Sequence, residues 1–312
     1  MQPRRRSDPG QGSAPPKYPG TFLLAFREAA AGLNWQVRRW KGDSVECADA
    51  EGRDRVIGLE NLYRRARQAE RSDWPELITD FLSTVSSIDP GQGLPGDLEE
   101  VAGQLLPRLG PPMAKLPNEA KVWSEPLEGT GLFVNLVVDY PERMAYVTHD
   151  LVQDSGRPGS RWLEVALDNL AARTPEGGFH LIDEDSGLRI CSVADAYDSS
   201  RALLLDRLLP ETAADGCFVS LPGRDALFVL PVSAKALSQV HLLKVLAEKN
   251  HQTAPYPISA DVFWVRGGVW RQFPIVIKGE EITIEPPEEF LALLDRLVPE
   301  KDSSGPDQTS EA

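Results

Sequence analysis

Short alternating apolar runs recur along this chain, and helical patterns separate one group of runs from the next. Near the amino terminus the runs 35–40, 44–48 and 55–59 are separated by Gly42 and Gly52, which predicts a small antiparallel meander. Consecutive strands joined by tight turns pair antiparallel, whereas a parallel pair needs a crossover connection. We therefore predict an α+β fold with mainly antiparallel sheets packed by helices. The later strand pairs are 178–182 with 188–193, 217–221 with 226–231, and 262–265 with 269–273.

Stretches rich in proline and glycine divide the chain. Prolines recur between positions 107 and 126 without a helical or alternating pattern, so we place a linker there. Both termini carry almost no apolar side chains, which is typical of disorder. The predicted order is a disordered leader at 1–19, an amino-terminal α+β unit at 20–106, a proline-rich linker at 107–128, a carboxy-terminal α+β domain at 129–298 and a disordered acidic tail at 299–312.

The composition argues against some classes of partner. The 312 residues include 47 acidic and 33 basic side chains, a net charge of −14, which repels phosphate backbones and argues against nucleic-acid binding. No apolar run approaches the roughly 20 residues of a membrane-spanning helix, so we expect no membrane partner. The three cysteines, Cys47, Cys191 and Cys217, are too few for a disulfide framework, which favours a reducing cytoplasm.

No known catalytic signature is present. The chain lacks a P-loop, a nucleophile elbow and the paired histidines of a zinc-protease helix, and its histidines are isolated. Among them only His180, within an alternating strand, is a weak site candidate. The acidic run 183–185 is better explained as a hairpin turn than as a divalent-cation site. We therefore predict no catalytic residue, no metal and no cofactor.

The segment Asp195–Arg201 concentrates carboxylates, hydroxyls, a phenol and a guanidinium where a helix is predicted to begin. If Asp195 is the N-cap, Asp198 occupies N3, where its carboxylate can reach back toward the N-cap amide. Tyr197 and Arg201 are four residues apart, so they share a helical face, which continues as leucines. An arginine that enters an apolar face needs a charged partner, because an unpaired buried charge is costly.

Two hypotheses explain this segment. In the first, Arg201 pairs with Asp198 or Asp225 in a buried structural network. In the second, a cleft binds a small anionic ligand, because the guanidinium forks of Arg201 and Arg224 match a carboxylate or phosphate. Exposure separates the two, since a sealed and internally paired network opposes ligand binding. The candidate binding residues are Asp195, Tyr197, Asp198, Ser200, Arg201, Arg224 and Asp225.

Four short motifs follow one another along the carboxy-terminal domain. They are Ala166-x-x-Asn169-Leu170, Asp195-x-Tyr197-Asp198-x-Ser200-Arg201, Leu221-Pro222-x-Arg224-Asp225 and Tyr256-Pro257-Ile258-Ser259. On these motifs the chain resembles the YtpQ-like family, a group of bacterial proteins of unknown function. The amino-terminal helix, strands and helices are also similar, so the resemblance covers most of residues 20–285. It implies the fold of a bacterial protein family that has no established activity.

The sequence therefore predicts a general class of function and no particular reaction. The absence of a nucleophile or metal signature favours a cytoplasmic, non-catalytic protein-interaction or chaperone-like module that binds an unknown protein partner. The amino-terminal unit supports this by its general likeness to small secretion-chaperone-like α+β domains, an analogy at the level of fold. The alternative is a small-ligand-binding protein or an enzyme that uses the polar site near residue 195.

Overall fold

The chain forms two compact structural units. A computed structural model of the protein places the first within residues 18–87 and the second within residues 96–297. The architecture is α+β, with mostly antiparallel sheets, as the sequence predicts. The structure describes residues 18–41, 44–87, 96–113, 120–140, 144–212 and 214–297.

The first unit is a three-stranded meander packed by helices. Its antiparallel sheet has the order β1-β2-β3, which confirms the meander predicted from the alternating runs. Phe22, Phe26, Val45, Leu62 and Ile78 form the centre of its core. The elements are α1 (Gly20–Gly32), β1 (Gln36–Lys41), β2 (Ser44–Ala48), β3 (Asp54–Gly58), α2 (Glu60–Ala66) and α3 (Trp74–Ser87).

Order in the first unit begins earlier than the sequence indicates. Tyr18 was expected in a disordered leader, yet its side chain is buried and its ring contacts those of Phe22 and Tyr63. The aromatic side chain supplies apolar area that the proline-rich residues before it do not have. Residues 1–17 of the predicted leader and the whole predicted tail lie outside the described residues.

The predicted linker at 107–128 is wrong, because both of its ends belong to strands in a sheet of the second unit. After a 3-10 helix at Leu98–Gln104, the chain forms β4 (Leu105–Gly110), β5 (Ser124–Leu127), β6 (Leu132–Asp139) and β7 (Met144–Tyr146). The strand order is β4-β6-β5, and β7 also pairs with β6. Pro107 and Pro126 therefore lie on strands that flank β6, where a missing N–H is tolerated. Residues 114–119 lie outside the described part.

A six-stranded antiparallel sheet forms the rest of the second unit. Its order is β13-β12-β10-β11-β9-β8, so β8 and β13 are the edges among the described strands. A separate hairpin pairs β14 with β15. The strands are β8 (Phe179–Asp183), β9 (Leu188–Cys191), β10 (Cys217–Gly223), β11 (Ala226–Pro231), β12 (Val262–Arg266), β13 (Val269–Gln272), β14 (Ile275–Lys278) and β15 (Glu281–Ile284).

Helices pack on both faces of the six-stranded sheet. On one face α7 packs chiefly on β10 and β11, and Phe290 of α8 contacts the rings of Phe218 and Trp264. On the other face Ala202 and Leu205 pack with Val219 and Val229. The helices are α4 (His149–Asp154), α5 (Gly159–Arg173), α6 (Leu205–Leu208), α7 (Ala234–Thr253) and α8 (Glu288–Leu297).

None of the helices in the described part of the chain combines the length and apolar character needed to cross a membrane.

Cys47, Cys191 and Cys217 are free, buried thiols. Burial raises the pKa of the Cys191 thiol to about 12, and the nearby Asp198 carboxylate adds to this effect, so the thiol stays protonated at neutral pH.

Gly129 and Gly131, in the turn between β5 and β6, form a matched pair for substitution. Both have a positive φ, 79° and 74°. A Cβ at Gly129 would lie 2.3 Å from the carbonyl oxygen of Trp270, whereas a Cβ at Gly131 would meet no atom within 4 Å. We expect Gly131→Ala to lower the free energy of unfolding by about 1 kcal/mol. Gly129→Ala should lower it by about 1 to 3 kcal/mol more. Urea unfolding measures both, and equal losses would contradict this packing.

Candidate functional site

The segment Asp195–Arg201 begins as a loop. A 3-10 helix starts only at Ser199 and ends at Leu204, and Asp198 precedes it without making a side-chain cap. The predictions of Asp195 as N-cap and Asp198 as N3 are therefore wrong. Ala194 and Ala196 have positive φ angles of 62° and 73°. Such a conformation costs a non-glycine residue about 1 to 2 kcal/mol, so surrounding contacts must hold this loop in place.

Arg201 is buried and satisfied by protein groups. Its side chain has no exposed area, and its two terminal nitrogens donate to Asp195 Oδ1 and Oδ2 at 2.8 and 2.7 Å. Nη1 also donates to Asp198 Oδ1 at 3.2 Å, and Nε donates to Thr174 Oγ1 at 3.0 Å. This bidentate pairing explains why an arginine tolerates the apolar surroundings. The proposed pairing with Asp198 is present, whereas the pairing with Asp225 is wrong.

The Asp198 carboxylate organises the loop before it. It is fully buried and accepts the backbone N–H groups of Val193 at 2.8 Å and Ala194 at 2.9 Å. The thiol of Cys191 lies 3.6 Å from the same carboxylate. Asp198 thus joins the end of β9 to the start of the 3-10 helix, and Arg201 balances its charge.

A second layer of charge surrounds Tyr197. The phenol donates to Asp139 Oδ1 at 2.9 Å, and Arg173 Nη1 lies 2.5 Å from Asp139 Oδ2. Arg173 also approaches Asp195 Oδ2 at 3.2 Å, and its guanidinium carbon lies 5.3 Å from the centre of the Tyr197 ring. The arginine whose guanidinium stacks on the Tyr197 ring is therefore Arg173, the last residue of α5.

The other motif residues make structural contacts to the backbone. Ser200 Oγ accepts the N–H of Leu109 at 3.0 Å. The amide nitrogen of Asn169 donates to the carbonyl oxygens of Ala102 and Leu105 at 2.8 and 2.9 Å. These bonds attach the 3-10 helix at 199–204 and α5 to the start of the second unit.

Arg224 and Asp225 form a separate pair. Arg224 Nε and Nη2 donate to the Asp225 carboxylate at 3.0 Å each, and the guanidinium carbon lies 3.8 Å from the centre of the Tyr256 ring. The Arg224 carbonyl accepts the N–H of Ser199 at 3.1 Å, which is how this turn contacts the polar segment. Two motifs far apart in the chain, those around Arg224 and Tyr256, are thereby brought together.

The charges of the network change the titration of its members. Burial alone would raise the pKa of Asp195, but the hydrogen bonds and charge of Arg201 outweigh it and hold that pKa below its usual range. Burial, together with the Asp139 carboxylate, raises the pKa of Tyr197 far above its usual value. At neutral pH the network therefore contains an ionised Asp195 and a protonated phenol.

This arrangement is suited to stability. The fork of Arg201 is already occupied by two carboxylates, so it offers no free donor pair to an anion. A buried, internally paired network was the outcome expected to oppose ligand binding. In the described part of the chain, no group of three or more His, Cys, Asp or Glu side chains is arranged to hold a metal ion. The 183–185 run forms a turn in which Asp183 accepts from the N–H and hydroxyl of Ser186.

Asp139, Arg173 and Thr174 are essential members of the network that sequence reasoning missed. Asp139, Arg173 and Thr174 lie 58, 24 and 23 residues before Tyr197, respectively, and so far outside its motif. Each stands at the end of a regular element, with Asp139 closing β6 and Arg173 closing α5. Charged residues at element ends are a weak signal, because they are commonly solvated.

An apolar surface lies elsewhere on the second unit. Beside α7 is a groove with a volume of about 380 Å³, here called the α7 groove. Leu242 and Val245, on its helical wall, are 48% and 45% exposed, which is high for large apolar side chains on adjacent turns. The groove is lined by Asp183, Ser186, Leu188, Leu230, Gln239, Leu242, Leu243, Val245 and Leu246.

Comparison with protein-family models, curated proteins and solved structures finds no match for this chain. The resemblance to the YtpQ-like family therefore stays a prediction based on the four motifs.

Arg201→Ala tests whether the network stabilises the fold. Removing the guanidinium leaves Asp195 and Asp198 without their shared partner, and we expect a loss of about 3 to 5 kcal/mol in the free energy of unfolding. The matched control is Arg207→Ala, which removes a surface ion pair with Asp168, and should lose less than about 1 kcal/mol. Chemical denaturation measures both. An Arg201→Ala variant as stable as the control would contradict the structural role.

The Asp195 carboxylate should make stability depend on pH in the acidic range. Because its folded pKa is lowered, its contribution is complete above the unfolded pKa of about 3.9 and is lost as the pH falls through the folded pKa. We expect the difference in unfolding free energy between wild type and Asp195→Asn to be largest near neutral pH and to shrink in acid. Denaturant titrations at several pH values measure it. A difference that stays constant throughout the acidic range would contradict the pairing.

Proposed function

We propose that this protein is a non-catalytic protein-binding module that engages its partner through the α7 groove. The observation that supports this proposal is that Leu242 and Val245 are half-exposed beside an open apolar groove. Apolar surface of this kind is typical of contact sites, because water is released from it on binding. A chaperone-like activity is one form of this proposal.

The state of the polar segment supports a role without catalysis. Arg201 and Asp198 are fully buried, and their hydrogen-bonding groups are directed at one another and at the backbone. A general acid, base or anion-binding group must reach its substrate, which these groups do not in this arrangement. Arg224 is partly exposed, but Asp225 and Tyr256 already occupy its guanidinium. The small-ligand or enzyme alternative therefore has less support than protein binding.

Cytoplasmic location and membership of the YtpQ-like family are parts of the same proposal. Three buried free thiols fit a reducing compartment, since none is arranged as a disulfide. The motifs behind the resemblance lie at contacts that hold the second unit together, such as Asn169 to Leu105 and Ser200 to Leu109. Motifs of this kind support a shared fold and carry no activity with them.

Site-specific photo-crosslinking in the native host tests the proposal. A photoreactive amino acid replaces Leu242 in the full chain, and the control replaces Val276, which is similarly exposed at 44% but lies on β14. We expect a discrete protein adduct from position 242 that is absent from position 276. Val245→Glu should suppress that adduct, because it places a charge in the apolar groove.

The adducts are identified by mass spectrometry, and the purified adduct protein is tested for rebinding to the wild-type chain. Identical adducts from both positions, or an adduct that Val245→Glu leaves unchanged, would show that the groove is not the contact surface.

A further inference from the structure

The sheet layer beside α7 has space for one more helix. Neighbouring strands are about 4.8 Å apart and a helix with its side chains is about 10 Å wide, so one helix covers about two strands. α7 packs chiefly on β10 and β11. On the same face Phe228 of β11 is followed across the sheet by the partly buried Ile190 of β9 and then by the exposed His180 of β8. The uncovered strip is therefore two strands wide.

The side chains around this strip match the surface of a helix. Leu188 and Leu230 form the floor, and Leu242 and Leu246 form the wall that α7 presents to it. The wall residues are four positions apart, so they lie on one face of α7, one turn from each other. A ridge of apolar side chains at the same spacing on a second helix can pack against such a wall.

The two ends of the strip differ in charge. At the hairpin end the turn 183–185 carries three carboxylates, of which Glu184 and Asp185 are exposed. Lys235 lies near Asp185 at 3.6 Å and offsets one of them. Toward the other end Lys249 is exposed, seven residues or about two helical turns beyond Leu242. A complementary segment has basic residues at one end and an acidic residue at the other.

The chain's own termini do not fit this description. Apart from alanine and proline, residues 1–17 contain one apolar side chain, that of Met1, and residues 299–312 contain none. Neither segment can supply an apolar ridge. A second copy of the chain and an extended strand added to the edge of β8 are the other occupants to be distinguished by experiment.

We infer that the α7 groove binds an amphipathic helix of a partner protein, with basic residues at the end that meets the turn 183–185. This rests on the proposed function and specifies the partner's chemistry. Apolar residues at positions i, i+3 or i+4, and i+7 of that helix pack between α7 and strands β8 and β9. Its basic end contacts Glu184 and Asp185, and its other end lies near Lys249.

Selection from displayed fragments tests this inference. Overlapping fragments of the host proteome are selected on the full-length chain, and fragments that bind are synthesised and measured by fluorescence anisotropy. We expect the selected sequences to share the helical apolar spacing with Lys or Arg at one end, and to gain helical circular dichroism on binding. A period-two apolar pattern would overturn the helix and indicate strand addition at β8. Recovery of no binding fragment would also overturn it.

Variants of the chain locate the bound fragment. Leu242→Glu should weaken binding by at least about tenfold, because the carboxylate lies within the apolar contact. Glu184→Lys combined with Asp185→Lys should weaken it by about fivefold or more at low salt, and less at high salt. The control Ile282→Glu changes an exposed apolar residue of β15 and should bind as wild type does. Equal binding by Leu242→Glu and the control would overturn the inference.

Sedimentation velocity over a range of concentrations distinguishes the second copy. Wild-type chain that dimerises, and a Leu242→Glu variant that does not, would show that another copy occupies the groove and would overturn the inference. The proposed function fails separately, since it depends on a crosslinked host protein at position 242. A crosslinked partner that binds as a strand would leave protein binding intact and reject only the helix.

Discussion

The buried guanidinium of Arg201 is the interaction on which the arrangement of the second unit depends. It joins Asp195 of the preceding loop, Asp198 at the start of the 3-10 helix and Thr174 after α5. Each carboxylate in turn holds backbone: Asp195 accepts the N–H of Tyr197, and Asp198 accepts two N–H groups that follow β9. Because a buried charge must be paired, these elements are held in one relative position.

The same pairing leaves the Arg201 guanidinium without a free donor pair for a ligand. A guanidinium bonded to two carboxylates has no free donor fork, so the most polar segment of the sequence serves the fold. The loop keeps two alanines at positive φ, which the hydrogen bonds of Asp195 and Asp198 can sustain. The open surface lies instead beside α7, where Leu242 and Val245 have no complete apolar cover. Function is therefore proposed for a region without a motif.

The local pattern predicted much of the fold, and its failures have physical reasons. The meander at β1–β3 and the pair β10–β11 follow from alternation and turn residues, which act over a few positions. The linker prediction is wrong because the strands that flank β6 tolerate proline, so a run of prolines does not exclude a strand there. Within the site, Arg201 was correctly expected to need a carboxylate. Asp139 and Arg173 could not be identified, because their proximity to Tyr197 arises only on folding.

The sequence by itself determined the α+β class, the amino-terminal meander, the three later strand pairs and the need of Arg201 for a charged partner, since periodicity, turn chemistry and the cost of burying charge are local properties. Tertiary structure alone decided that the partners are Asp195 and Asp198, that Asp225 pairs with Arg224, and that the network is sealed. It also decided that a strip beside α7 stays uncovered. Pairing and exposure depend on which distant elements meet, and local sequence does not specify that.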